Sequence, residues 1–122
     1  DLLRADGRHL GGRIAPSPTL MREMLASRSS ALPVAGGDYV EFAGDTADAL
    51  ASGCEGAALA LIERSIAVAA NPLGAVPRLV IHGGGADALL ALSGHGGLPT
   101  GEVRANLVLA GLARWAHWAG IA

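Results

Sequence analysis

The sequence predicts a mixed α/β fold in which helices pack against a small sheet. Three observations carry that expectation. The chain opens with two apolar runs joined by Ala5-Asp6-Gly7, a hairpin signal. Residues 44–65, GDTADALASGCEGAALALIERS, form one long helical segment. Residues 79–90, LVIHGGGADALL, read as strand, glycine turn and helix in direct succession.

Each element follows in order. Residues 1–4 and 8–15 are the two arms of the hairpin, and Gly11-Gly12 in the second arm implies a bulge or a close approach of backbone or ligand. Ser17-Pro18 is a good cap followed by a good first helical residue, so a helix is expected over about 18–31. Leu20, Met21, Met24 and Leu25 share one face of it, with Arg22 and Glu23 off that face. Residues 32–44, with Pro33 and Gly36-Gly37, read as a loop that Tyr39, Val40 and Phe42 pin to the body. Asp45 caps the long helix, which runs to about Ala70 and is ended by Asn71-Pro72-Leu73-Gly74. Residues 78–82, RLVIH, form a short apolar strand of the kind buried on both faces. A helix over about 86–92, a loop over 93–101, a short edge strand over 102–105 and a last helix capped by Asn106 complete the order β-β-α-α-β-α-(β)-α. In the last helix Val108, Leu112 and Trp115 follow helical spacing.

Composition bounds the function. The 122 residues suffice for one small domain with a core, and 51% of them are apolar, which excludes a disordered chain. The basic residues are 9 arginines and no lysine, so a Schiff-base lysine, a P-loop lysine and a kinase strand lysine are all excluded. The arginines are scattered and the net charge is −2, which is no nucleic-acid footprint. The longest strongly apolar run, Ala57 to Ile62, is too short to span a membrane. Cys54 is the single cysteine, so an internal disulfide is impossible and a reducing, cytoplasmic setting is expected.

Four stretches are candidates for chemistry. The turn Gly83-Gly84-Gly85 brings backbone N–H groups and a helix start to one point, where a phosphate fits; the same glycines also serve a tight strand-to-helix turn. Thr46, first residue of the long helix, offers a hydroxyl beside amides expected to be free, or is ordinary helix sequence next to a cap. Gly53 and Gly56 each cost the long helix about 1 kcal/mol relative to alanine. With Ala49, Ala57 and Ala60 they form a small-residue stripe that admits a second backbone, of the same chain or of another subunit. The fourth stretch, residues 11–18 (GGRIAPSP), is explained by turn and packing demands. His9, His82, His95 and His117 show no metal-ligand spacing, and mid-helix Cys54 is expected to be inert packing.

Taken together, GRHLGGRIAPSPTLMREML, GDTADALASGCEGAALALIER, RLVIHGGGADALL and NLVLAGLARWA occur in an order and spacing that closely resembles the C-terminal half of a type III pantothenate kinase. The resemblance runs from Asp1 to about Trp118. It implies an RNase H-like half-domain of the actin and sugar kinase superfamily over residues 1–122, lacking its first strand. It implies transfer of the ATP γ-phosphate to pantothenate, the first committed step toward coenzyme A, with a divalent metal such as magnesium, a monovalent cation such as potassium or ammonium, and a homodimer. Carried over residue by residue, Thr46 contacts pantothenate and Gly83, Gly84 and Gly85 lie on the ATP side. The long helix lies where the family builds its dimer.

The sequence also departs from the family. Pro16-Ser17 stands where proline-glycine is common. The D-x-G-N phosphate loop, the G-A-D-R segment with the catalytic aspartate, and the D-x-G-T motif with the potassium-binding aspartate would all lie upstream of Asp1. No catalytic residue or metal ligand is therefore assigned here, and the 122 residues alone are expected to be inactive and to fold poorly. A non-catalytic accessory role on the same fold is the alternative, which intact upstream motifs would argue against.

Overall fold

The computed structural model describes residues 1–92, 94 and 99–121. Its element order is β1 (Leu2–Leu3), β2 (His9–Gly11), α1 (Pro18–Arg28), α2 (Thr46–Leu73), β3 (Val80–Ile81), α3 (Ala86–Leu92), β4 (Glu102–Val103) and α4 (Leu107–Trp118). This matches the expected order, with shorter strands. The chain forms two compact units, Asp1–Pro77 and Arg78–Ala122.

In the first unit, β1 and β2 pair antiparallel. The turn between them closes through Gly7 N–H to the Arg4 carbonyl at 2.9 Å, and Gly7 takes φ +84°. Leu2 is opposite Gly11 and Leu3 opposite His9, so Leu10 is the extra residue of a bulge. The bulge reading of the glycine pair thus holds at Gly11, which has φ +125°. The hairpin exit is tied to α2 by the Arg13 guanidinium, which donates to Ser65 Oγ at 2.6 Å.

Ser17 caps α1 as expected, its hydroxyl accepting from Leu20 N–H at 3.2 Å, and Pro18 opens the helix. The helix ends at Arg28, three residues early, and its covered side differs from the one the apolar spacing marks. Leu20, Met24 and Leu25 are exposed, whereas Met21, Arg22 and Ala26 are half-buried. Arg22 turns toward the chain because its guanidinium donates to the Gly36 carbonyl in the following loop. A backbone acceptor there outcompetes the apolar spacing.

Helix α2 dominates the unit with 28 residues. Its start is set by Asp45, whose carboxylate accepts from Ala47 N–H at 2.9 Å and Asp48 N–H at 3.0 Å. It runs three residues past the expected end: Asn71, Pro72 and Leu73 stay helical, and Gly74 terminates it with φ +69°. Pro72 is tolerated because it sits in the last turn, where little helix remains to be interrupted. Leu50, Ala51, Cys54, Leu59 and Ala69 of α2 are the buried residues described in this unit.

In the second unit β3 and β4 pair parallel, Val80 with Glu102 and Ile81 with Val103. The strand is shorter than the expected 78–82, has one described partner, and is half-buried rather than buried on both faces. Glu102 forms ion pairs with Arg78, at 3.4 Å, and with Arg104. The expected loop over 93–101 lies largely outside the described residues. Asn106 precedes α4 as expected but caps it without a side-chain bond, from a left-handed backbone with φ +58°. Val108, Leu112 and Trp115 are exposed on α4.

Replacing the Asp45 cap tests what fixes the start of α2. Asp45→Ala should cost about 1 kcal/mol in chemical denaturation of the full-length gene product, and Asp45→Asn or Asp45→Ser much less, because both retain the acceptor.

Candidate functional site

A hollow of about 410 Å³ opens at the start of α2, lined by Leu32, Ala43, Gly44, Asp45, Thr46, Ala49 and Leu50. Three local features assemble it. The end of the α1 segment delivers Leu32. The loop over 33–42 leaves and returns, delivering Ala43 and Gly44. The Asp45 cap then starts α2 with Thr46 at its first position.

Thr46 is exposed, and among the described residues neither its hydroxyl nor its amide has a protein partner. The neighbouring amides are not free as expected. Ala47 and Asp48 are held by the Asp45 carboxylate, and Ala49 N–H donates to the Asp45 carbonyl at 3.0 Å. The capping carboxylate already occupies the place where an anion would meet the helix dipole. What remains is a wall of Leu32, Ala43, Ala49 and Leu50, one free hydroxyl and one carboxylate. That set suits a small neutral-to-polar molecule with an aliphatic body and hydroxyl or amide groups better than a bare phosphate.

The loop that frames the hollow is strapped along α2. Asp38 N–H donates to Asp48 Oδ1 at 2.9 Å, and Val40 N–H donates to Ser52 Oγ at 2.7 Å. Ser52 Oγ in turn donates to the Asp38 carbonyl at 3.4 Å. Gly37, with φ +81°, packs so closely on the Ala47 carbonyl that a Cβ there would collide with it. Tyr39 lies over Gly56, where an added Cβ would meet the phenol oxygen at 3.6 Å. Tyr39 therefore lies against α2 as expected, whereas Val40 is held by its backbone N–H with its side chain exposed, and Phe42 is 96% exposed. Sequence reading missed Asp48 and Ser52 as anchors and Leu32 and Ala43 as walls. The signal available was polar Asp48 and Ser52 in line with Gly56, at i, i+4 and i+8 of the long helix.

The two glycines of α2 separate. Gly56 is covered by Tyr39 of the same chain. Gly53 has nothing within 4 Å of where a Cβ would go, and Ala49, Gly53, Ala57 and Ala60 are all exposed.

The turn Gly83-Gly84-Gly85 belongs to the second unit. All three glycines are exposed with open space at the Cβ position, and Gly83 takes φ +96°. Ala86 N–H donates to the Gly83 carbonyl at 3.1 Å, closing the turn into α3, and Ala86 is buried beneath it. The geometry of an open, side-chain-free turn is as expected. Thr46 and this turn lie in different units, and each stands by itself.

Among the described residues no three His, Cys, Asp or Glu side chains converge to hold a metal ion, so these residues alone do not make a cage for a divalent cation. His9 Nε2 lies 2.9 Å from Asp1 Oδ1 at the hairpin, and His95 lies outside the described residues. No described helix is long and apolar enough to cross a membrane.

Fold and hollow together define a mixed α/β chain with an apolar-walled hollow at a helix start. Comparison with known proteins makes the class specific. The sequence model of the type III pantothenate kinase family matches residues 1–68. Type III pantothenate kinases of Stenotrophomonas maltophilia strain K279a and Xanthomonas campestris pv. campestris strain B100 are each 61% identical over 116 residues, 95% of this chain. The chain belongs to the type III pantothenate kinase family. It spans about half, 46%, of the length of those relatives.

Cys54 is 4% exposed, and burial pushes its thiol above the ordinary 9.0, with the Arg22 guanidinium pulling weakly the other way. A raised thiol value means the fold disfavours the thiolate. This contribution to stability is complete below pH 9.0 and is lost as the pH rises through the raised value. Cys54 should give no reaction with a thiol-specific disulfide reagent in the native protein at neutral pH and full reaction after denaturation.

Proposed function

We propose that this chain is the C-terminal, RNase H-like half of a type III pantothenate kinase, which phosphorylates pantothenate at the expense of ATP in the first step of coenzyme A synthesis. One observation carries the reading at the site. Thr46 presents an unpartnered hydroxyl in an aliphatic-walled hollow, and pantothenate is an aliphatic molecule with hydroxyl and amide groups. Thr46 binds pantothenate, and the open turn Gly83–Gly85 lies on the ATP side. The names of the relatives and the family match support the activity.

Phosphoryl transfer requires positioning of the two substrates and stabilisation of charge on the transferred group. The share of this chain is positioning. Its apolar walls exclude water from the aliphatic body, and the Thr46 hydroxyl fixes one polar group. The divalent metal and the monovalent cation of the family neutralise phosphate charge when bound; ligands for them are not assigned to these residues. The base for the attacking hydroxyl is likewise not among them, so the 122 residues alone do not turn over substrate. A cytoplasmic setting accords with a single buried thiol.

The full protein is a homodimer, and the exposed strip Ala49, Gly53, Ala57 and Ala60 supplies part of the contact. Support comes from the open space over Gly53, a residue that costs the helix stability and has no use within the chain.

Two measurements test this reading. Thr46→Val in the full-length enzyme should raise KM for pantothenate by on the order of tenfold, as expected for one lost hydrogen bond to substrate, with KM for ATP unchanged. Unchanged pantothenate binding refutes the assignment. Gly53→Ala should weaken dimerisation in sedimentation equilibrium. A gain of about 1 kcal/mol in stability with unaltered association would instead show an open helix face.

A further inference from the structure

We infer that Asp48 and Ser52 are positioning residues for the substrate hollow, acting through the strap over residues 36–40. The inference rests on the pantothenate reading of that hollow and adds to it the means by which its wall is held.

The hollow has two kinds of wall. Asp45, Thr46, Ala49 and Leu50 belong to α2 or its cap and are held by the helix itself. Leu32, Ala43 and Gly44 belong to the irregular segment, which has no ladder of its own. Ordering such a segment costs backbone entropy at every residue, so its conformation must be fixed by bonds to something rigid. Those bonds go to one face of α2. Asp48 accepts from Asp38 N–H, and Ser52 accepts from Val40 N–H while donating to the Asp38 carbonyl. Gly56 seats Tyr39 one turn further on, and Arg22 of α1 holds the Gly36 carbonyl from the other side.

The consequence is geometric. From Val40 only Glu41 and Phe42 intervene before wall residue Ala43, and Phe42 is fully exposed and anchors nothing. The last fixed point before the wall is therefore the Val40–Ser52 bond. Neither Asp48 nor Ser52 lines the hollow. Loosening them moves Ala43 and Gly44 and leaves Thr46 where the helix puts it.

The test uses the full-length enzyme. Asp48→Ala, Ser52→Ala and the double variant are compared with Asp48→Asn and Ser52→Thr, which keep an oxygen acceptor in place. Asp48→Asn also removes the charge while keeping the bond, which separates the strap from any effect on the helix dipole. The expected result in the double variant is a rise in KM for pantothenate on the order of tenfold, from the three lost strap hydrogen bonds, with kcat and KM for ATP little changed. Amide hydrogen exchange at Asp38 and Val40 should accelerate in the alanine variants, and the Asn and Thr variants should behave as wild type in both readouts. Faster exchange with an unchanged KM overturns the positioning role, while a Thr46→Val variant that still weakens pantothenate binding keeps the site reading intact. Unchanged exchange overturns the strap itself. If Thr46→Val also leaves binding untouched, the pantothenate reading of the hollow falls with it.

Discussion

The carboxylate of Asp45 on the amides of Ala47 and Asp48 is the contact on which the first unit depends. A helix could begin one residue earlier or later in this alanine-rich stretch at little cost in propensity. The cap removes that freedom. With α2 beginning at Thr46, Ala43 and Gly44 stay outside the helix and line the hollow. Thr46 meets the hollow, Asp48, Ser52 and Gly56 meet the returning loop, Leu50 and Cys54 are buried, and Gly53 is left outside. Successive residues of α2 are turned by about 100°, so Asp48, Ser52 and Gly56, four apart, share the face that carries the strap.

That dependence explains what was legible in the sequence. The cap, the Ser17-Pro18 start, the Asp6-Gly7 turn and the glycine turn before α3 are local signals with local causes, and each element they mark is present. The failures involve competition between distant groups. Leu20, Met24 and Leu25 look like the covered face of α1, yet Arg22 lies on the covered side because the Gly36 carbonyl waits there. Phe42 looks like an anchor on hydrophobicity, yet the loop is held by backbone bonds to Asp48 and Ser52, which no composition argument favours. Amides that seemed open to a ligand are occupied by the residue that caps them. The hollow itself was visible only as Thr46. Its walls outside α2 and the cap are Leu32, Ala43 and Gly44, and Leu32 lies 11 positions before Ala43 in irregular chain, where periodicity says nothing.

The start of α2 contrasts with a bare helix N-terminus. A bare N-terminus attracts anions through its free amides and its dipole. Here the cap places a carboxylate over that end, and the apolar walls favour an aliphatic body. The open glycine turn in the second unit differs: the backbone is exposed, and among the described residues nothing lies within 4 Å of an added Cβ at Gly83, Gly84 or Gly85, with Asp87 in the first turn of α3. The two units thus present chemically distinct surfaces, a capped and apolar-walled hollow in one and an open glycine turn in the other.

The glycines of α2 make the economy of the helix clear. Both weaken it by about the same amount, but the offsets differ in kind. At Gly56 the neighbour is within the chain: the Tyr39 ring lies over the helix there, where an added Cβ would make ordinary van der Waals contact with the phenol oxygen at 3.6 Å. At Gly53 nothing in the chain lies near, so folding of the chain alone gives no reason to prefer it to alanine. A residue that costs stability and returns none within its own chain must be offset outside that chain or not at all. The exposed small residues on either side, Ala49, Ala57 and Ala60, give a second backbone room to approach along the same line. The strap anchors lie on a neighbouring face of the same helix. The exposed strip around Gly53 and the bonds that order the loop are therefore carried by adjacent faces of one helix.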